Sequence, residues 1–192
     1  QLGQEVEEEQ AVTCTMRSIN DCPFAFRNGD EAIDASFTFA AYVNEQHPFV
    51  DKLLREALDR GVVKSFYGYQ AGKPEDVVLQ AYAIWDLLVA RDIRYSSVTT
   101  TAVDSQTVAC QHVRLIEDSI NNSQANCVDG SVLWVSLLRK IGIDGFLVVT
   151  SNHCYAGFYL TRAHEGVLAI ETTLLGAEVD FALADTTGNL RV

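Results

Sequence analysis

The stretch NNSQANCVDGSVLWVSLLRKIGIDG, residues 121–145, carries a thiol at the point where a polar loop becomes an amphipathic helix. Apolar side chains follow this thiol at helical spacing, at Val128, Val132, Leu133, Trp134, Leu137, Leu138 and Ile141. Asn126 is a favoured capping residue type and Gly142 is a favoured terminator, so we predict a helix between them. Cys127 then lies in the first turn of that helix, at the edge of the apolar stripe and not inside it.

A thiol at the start of a helix is well placed for nucleophilic chemistry. The unpaired N–H groups and the partial positive charge there stabilise a thiolate, which lowers its pKa from about 8.5. The same N–H groups can bind a developing oxyanion. Gly130 and Ser131 are small enough for another element to approach the first turn closely. Because a lone cysteine beside an apolar helix is more often a small buried side chain, a catalytic role for Cys127 depends on its partners.

Two alternating segments downstream supply candidate partners. HCYAGFYLT (153–161) and GVLAIETT (166–173) alternate like strands, and TRAHEG (161–166) between them is typical of a hairpin loop. We predict that His153 opens one strand and that Glu171 lies inside the next, on one face of an antiparallel pair. A thiol, an imidazole and an orienting carboxylate form a nucleophilic-catalysis arrangement. Taken singly, His153 also fits a half-buried strand residue and Glu171 a solvated edge residue.

Helical patterns dominate the chain upstream of this region. PFVDKLLREALDRG (48–61) and PEDVVLQAYAIWDLLVARDI (74–93) each begin with proline and carry an apolar stripe, so each predicts a helix. Residue types elsewhere predict a strand at 34–44, a short strand at 62–70, turns at 19–24 and 27–31, a short helix at 110–120, and a strand covered on both faces at 145–150. This order of elements predicts an α+β fold.

Composition excludes several classes of function. The chain has 192 residues, 48% hydrophobic and 21% charged, as in a single soluble globular domain. Its net charge of −12 argues against nucleic-acid and lipid-surface partners, which need clustered Lys and Arg. No apolar run reaches about 18 residues, so we expect no transmembrane segment. We interpret residues 1–12 as an acidic flexible lead-in and residues 13–192 as one domain.

The compartment and the oligomeric state are not specified by the sequence. The acidic first residues lack the apolar stretch and positive flank of a signal peptide. We expect a soluble protein, and export to the periplasm or the extracellular space with the signal removed is compatible with this sequence.

Five cysteines, an odd number, leave at least one thiol unpaired within the chain. Cys14 and Cys22 are close enough in sequence for a disulfide, and buried free thiols explain them equally well. No CxxC or paired Cys/His spacing indicates zinc. A metal site built from Cys127, His153 and Cys154 lacks a fourth ligand, so we expect neither a metal nor an organic cofactor.

Three motifs in the C-terminal half occur in a recognisable order. They are ANCVDGSVLWVSLLRKIGI (125–143), NHCYAGFYL (152–160) and VLAIETTLLG (167–176). Together they resemble the core of the transglutaminase-like family, within the papain-like cysteine-enzyme superfamily. The resemblance covers residues 124–176 closely and extends loosely upstream through AIWDLLVARDIRYSSV (83–98). It implies a cysteine-bearing helix packed on an antiparallel sheet, with a catalytic core at 93–176 and a mostly helical extension at 13–92.

The resemblance also implies a role for each candidate residue. Cys127 would be the nucleophile, His153 the general base and acid, and Glu171 the orienting carboxylate, where the family more often has Asp. Tyr95 lies where the family often has an aromatic side chain near the oxyanion. Gln124 is a rival oxyanion donor, because related cysteine enzymes use a Gln shortly before the nucleophile.

The implied reaction is acyl transfer on a peptide or protein substrate. Cys127 would attack a carboxamide or peptide carbonyl to form a thioester, which water or an amine resolves. Compact bacterial-type members of the family resemble peptidases or amidases, so hydrolysis is our preferred interpretation. The alternatives are a catalytically inactive binding or scaffold module and a protein cross-linking acyltransferase. We further expect Cys127 to be the most reactive thiol and Glu171→Gln to be a mild substitution.

Overall fold

The computed structural model describes residues 10–98, 105–179 and 181, and these form a mixed α+β structure. The helices are α1 (Pro48–Asp59), α2 (Pro74–Ala90), α3 (Ile116–Asn122) and α4 (Cys127–Lys140), with 3-10 helices η1 (Ser36–Tyr42) and η2 (Thr172–Leu174). The strands are β1 (Asp21–Asn28), β2 (Glu31–Asp34), β3 (Arg94–Tyr95), β4 (Val108–His112), β5 (Gln124–Ala125), β6 (Gly145–Val149), β7 (Cys154–Tyr159) and β8 (Val167–Ile170). The predicted lead-in falls largely on residues 1–9, which lie outside the described residues.

Helix α4 is the centre of the structure, and the prediction of this helix is confirmed. Every residue from 128 to 138 is buried, because β6 and β7 cover one side of the helix and α1, α2 and α3 cover the others. A capping box starts the helix. The Asn126 side chain accepts the N–H groups of Val128 and Asp129 at 2.8 and 2.9 Å, and the Asp129 carboxylate accepts the Asn126 N–H at 2.9 Å. Cys127 is therefore held as the first residue of the helix.

The C-terminal sheet has the order β6-β7-β8 and is antiparallel throughout. The predicted hairpin is confirmed, with Ala156 of β7 opposite Ile170 of β8. β7 is the central strand and is buried from Cys154 to Phe158. The prediction that β6 is covered on both faces is wrong, because β6 is an edge strand and all of its residues are half-buried.

β1 and β2 of the N-terminal region pair with β4 in a second antiparallel sheet, in the order β2-β1-β4. The turn predicted at 19–24 lies largely in β1, which tolerates Pro23 because its register with β4 shifts there. The helix predicted at 110–120 is instead the end of β4 followed by α3. The strand predicted at 34–44 is largely η1, which buries Phe39, and the strand predicted at 62–70 consists of turns and irregular chain. The turn at 27–31, α1 and α2 are confirmed.

The structure also shows the state of the cysteines and the character of the helices. All five cysteines are free thiols, so Cys14 and Cys22 are not bonded to each other. Cys14 is exposed and Cys22 is buried. Across the described residues, no helix has both the length and the apolar character needed to cross a bilayer.

Gly130 lets η2 approach the first turn of α4. A Cβ atom on Gly130 would lie 2.8 Å from Thr172 Oγ1 and 3.0 Å from Thr172 Cβ, closer than side-chain atoms normally pack. Ser131 is buried in the same turn, and its hydroxyl oxygen lies 3.4 Å from Thr172 Oγ1. The expectation that small residues here permit close approach is therefore confirmed. This contact fixes the position of the chain that follows β8 relative to the start of α4.

We predict that Gly130→Ala lowers the free energy of unfolding. Alanine gains about 1 kcal/mol of helix propensity over glycine, but overpacking a tight contact costs about 1–3 kcal/mol. The obstructing Thr172 Cβ cannot swing away as the end of a flexible side chain could, so the cost should exceed the gain. Urea unfolding measures the difference. Thr172→Gly, which removes the obstructing Cβ atom, should cost less in the Gly130→Ala background than in the parent. An unfolding free energy of Gly130→Ala equal to the parent's would contradict the tight contact.

Candidate active site

Cys127 opens into a small pocket between the two sheets. The pocket has a volume of about 140 Å³. Its walls come from the start of α4, from Phe24 and Phe39 of the N-terminal region, and from the turn and strand start at 149–154. Both Cys127 and His153 line it. The half-buried thiol and the imidazole therefore share one partly apolar cavity.

His153 and Glu171 are in direct contact. His153 Nε2 lies 2.7 Å from Glu171 Oε2, and the two side chains are 17% and 0% exposed. Glu171 Oε1 accepts the backbone N–H and the hydroxyl of Thr173. Tyr155 stacks on the imidazole with ring centroids 6.2 Å apart. The carboxylate and the aromatic ring together fix the orientation of the imidazole.

Both partners lie at strand ends and not inside strands. His153 immediately precedes β7, and Glu171 follows β8 as the N-cap of η2. The prediction that Glu171 lies within its strand is wrong. A strand interior would bind the backbone in a ladder, whereas the N-cap position lets Glu171 accept the Thr173 N–H with its side chain. A fully buried carboxylate needs such donors.

The Glu171 contact selects one imidazole tautomer. A neutral imidazole donates from one ring nitrogen and accepts at the other. Because Nε2 faces a carboxylate oxygen, Nε2 carries the proton and Nδ1 is the acceptor. Nδ1 is therefore the nitrogen that can take a proton from a thiol.

Cys127 Sγ and His153 make no hydrogen bond to each other, although both residues belong to the described part of the chain. Nucleophile–base contacts in unliganded sites are often long and shorten only when substrate binds. Both residues line the same pocket.

Burial raises the pKa of the Cys127 thiol above its ordinary value. The backbone N–H groups of Cys154 and Val128 lower the pKa, and the carboxylate of Asp129 raises it again. The expected stabilisation at the helix start is therefore present, but removal from water outweighs it. We therefore expect Cys127 to be a thiol and not a thiolate at neutral pH.

The proposed oxyanion residues Tyr95 and Gln124 lie elsewhere. Tyr95 is 48% exposed in β3, which pairs with β5, and Gln124 is exposed in β5. Neither lines the pocket. Gln111 of β4 does line the pocket. The sequence does not single out this residue, because the helix predicted at 110–120 gives no reason to place Gln111 beside Cys127. One amide N–H of Gln111 is used by the His112 carbonyl at 3.1 Å, which leaves the second N–H for another acceptor.

No group of three or more His, Cys, Asp or Glu side chains suited to a metal ion occurs among the described residues. Cys154, next to His153, is buried, and its burial raises its pKa to about 12. Cys154 is therefore a poor nucleophile, which leaves Cys127 as the candidate thiol of the pocket.

We predict that alkylation of Cys127 accelerates as the pH rises, with an inflection above the ordinary thiol value of 9.0. The sign follows from burial, because a raised pKa keeps the thiol protonated to higher pH. Exposed Cys14 should react first at neutral pH, which revises the expectation that Cys127 is the most reactive thiol. The experiment is peptide-resolved mass spectrometry after limited iodoacetamide treatment. The parent shows whether Cys14 reacts first, and Cys14→Ser gives the pH profile of Cys127. An inflection below pH 7 would instead indicate a resting thiolate–imidazolium pair.

Comparisons of this chain with models of protein families, with curated proteins and with solved structures find no match. The candidate roles of Cys127, His153 and Glu171 therefore rest on the geometry of this chain alone.

Proposed function

We propose that this α+β chain has a transglutaminase-like core and is a cysteine-dependent acyl-transfer enzyme that hydrolyses peptide or amide bonds. The observation that carries the proposal is the buried contact of 2.7 Å between His153 Nε2 and Glu171 Oε2, beside the pocket that Cys127 lines. A carboxylate that selects the imidazole tautomer serves a base that must accept at Nδ1. A merely structural ion pair would not need a thiol in the same cavity.

The proposed reaction has two half-reactions. Cys127 Sγ attacks the substrate carbonyl carbon while His153 Nδ1 takes the thiol proton, and a tetrahedral oxyanion forms. Collapse breaks the C–N bond, and His153 returns the proton to the leaving amine, which departs and leaves a thioester. Water then attacks the thioester with His153 again as base, releasing the acid and restoring the thiol. An amine in place of water would give transamidation by the same steps.

Two donors are suited to the oxyanion. The Cys127 backbone N–H is the first of α4 and has no carbonyl acceptor within the described residues. Gln111 of β4 lines the same pocket, and its second amide N–H is the other candidate donor. Backbone and side-chain amides of this kind stabilise the charge that develops on a carbonyl oxygen.

A binding module without turnover is the second candidate. It is favoured by one observation, namely the lack of a Cys127–His153 hydrogen bond in a site whose thiol has a raised pKa. The two candidates differ in what happens when the thiol is removed. An enzyme loses turnover, whereas a binding module keeps its affinity for the partner.

We predict that Cys127→Ala and His153→Gln each abolish turnover of a peptide-amide library. Groups that act as a unit have non-additive effects, so the double variant should be little worse than either single variant. His153→Gln is chosen because glutamine retains a donor for buried Glu171. The control is Cys110→Ala, which removes a half-buried thiol from β4 outside the pocket. Turnover by Cys127→Ala equal to the parent's would end the enzymatic interpretation.

We predict that Glu171→Gln is severe, which reverses the expectation from sequence. Both Thr173 donors hold the acceptor oxygen at Oε1, so the new NH₂ group must face His153 Nε2. The imidazole then carries its proton on Nδ1 and cannot accept the thiol proton. By analogy with the wrong tautomer in a Ser-His-Asp triad, kcat should fall on the order of 10⁴-fold. Thermal melts run alongside, and a loss of less than tenfold would contradict the tautomer role.

We predict that Gln111→Ala lowers kcat by about 10²–10³-fold with little change in KM, as expected for one oxyanion donor. Tyr95→Phe and Gln124→Ala are the matched controls, because both side chains lie outside the pocket. Steady-state kinetics on the same peptide amide separate the two parameters. A full loss in a control with activity retained in Gln111→Ala would restore the original assignment.

A further inference from the structure

A groove of about 570 Å³ lies beside the candidate active site. η1 forms one wall, β6 forms the other, and the C-terminal half of α4 forms the floor. The lining is mainly apolar, with Phe37, Ala40, Val135, Phe146 and Leu147 as its principal side chains. Phe37 is 77% exposed at the rim, an unusual position for an aromatic side chain that has no partner to cover.

The edge of β6 that faces the groove offers unpaired backbone groups. Antiparallel pairs alternate between residues that bond to the neighbouring strand and residues that point away from it. The bonds Thr150 N–H to the His153 carbonyl and Tyr159 N–H to the Asp144 carbonyl bracket the β6–β7 ladder at even-numbered β6 positions. The N–H and C=O groups at 145, 147 and 149 therefore point outward. These positions line the groove, and no partner for their backbone groups occurs within the described residues.

The groove leads into the pocket of Cys127. Val149, the last residue of β6, lines both cavities. From the Cα of Gly145 to the Cα of Val149 the strand spans about 13 Å at 3.3 Å per residue, which is the length of a segment of five extended residues. A chain that follows β6 along the groove is thus delivered to the thiol.

The chemistry of the groove matches a peptide better than a lipid or a charged ligand. Alternating backbone donors and acceptors complement a peptide backbone, whereas an acyl chain offers neither. At the far end Arg139 and Glu45 are 3.3 Å apart, so their charges compensate each other. Residues 145–149, GFLVV, contain no charge or proline that would protect an edge strand from pairing. The free edge of β6 is therefore suited to pairing with an added strand.

We infer that the substrate binds as an extended segment with apolar side chains, added as a fourth strand along the free edge of β6. This inference rests on the proposed function for its link to Cys127. The groove thereby acts as a specificity site, because it selects unfolded or terminal segments that can become a strand and excludes folded loops and helices. Its pockets favour apolar side chains at alternate positions.

The test measures binding without turnover. The probe is a fluorescein-labelled, capped hexapeptide of alternating valine and threonine, titrated into the full chain carrying Cys127→Ala and followed by fluorescence anisotropy. Ala40 is exposed in the groove, so Ala40→Trp should fill it and weaken binding at least about tenfold. Ala41 is exposed on the same 3-10 helix but lines a different cavity, so Ala41→Trp is the matched control and should bind like the parent.

Two chemically altered probes test the strand geometry without changing the protein. N-methylation of the alternate amides that face β6 should abolish binding, whereas methylation of the other alternate set should leave it nearly intact. Equal effects of the two sets, or unchanged binding by Ala40→Trp, would overturn the inference. So would a dimer that Ala40→Trp dissociates while the peptide fails to bind, because a second copy would then occupy the groove.

The outcomes also separate this inference from the proposed function. If the parent hydrolyses the peptide and Ala40→Trp retains its kcat/KM, the groove assignment fails while the enzyme assignment stands. If the alternating methylation pattern holds but the parent turns over no substrate, the groove stands as a peptide-binding site and the enzyme assignment fails.

Discussion

The capping box at the start of α4 is the interaction on which the rest of the site depends. Asn126 and Asp129 exchange hydrogen bonds across the first turn, so Cys127 and Val128 between them are held in place. The fully buried Asp129 carboxylate also accepts the Arg114 backbone N–H at 2.8 Å and pairs with the Arg114 guanidinium at 2.7 Å. The same carboxylate thus starts the helix and ties it to the loop after β4. Removal of Arg114 would leave the buried Asp129 carboxylate without its cationic partner, close to the thiol.

The remaining site residues reach Cys127 through packing and not through sequence proximity. Gly130 lets η2 lie against the first turn of α4, and Glu171 caps η2. Glu171 in turn orients His153 at the start of β7. A displacement of η2 by the size of one methyl group would therefore be transmitted to the imidazole. The position of His153 therefore depends on a series of close contacts that begins at Gly130.

The parts of the structure that the sequence predicted are those governed by local periodicity. In helices α1, α2 and α4 and in the β7–β8 hairpin, the periodic pattern of apolar residues lies within one contiguous segment. Cys127, His153 and Glu171 lie at the ends of these elements, so the sequence could also indicate that they belong together. The sequence does not predict β1 and β4, because these strands stabilise each other across about ninety residues. Pro23 in β1 is also typical of a turn, so the residue pattern there does not indicate a strand. The direction of the thiol pKa was also beyond sequence reasoning. It depends on how much of the pocket wall comes from distant segments, which only the tertiary structure specifies.

The walls of the pocket come from segments far apart in the sequence, from Phe24 to Cys154. Phe24 in β1 is therefore synthesised well before Glu171, which caps η2. The nascent chain thus holds the thiol before the carboxylate that orients its base exists. Contacts between distant segments also form slowly, because loop closure must precede them. Under the proposed function, hydrolysis would therefore stay silent during translation, when the unfolded chain itself is the nearest extended peptide.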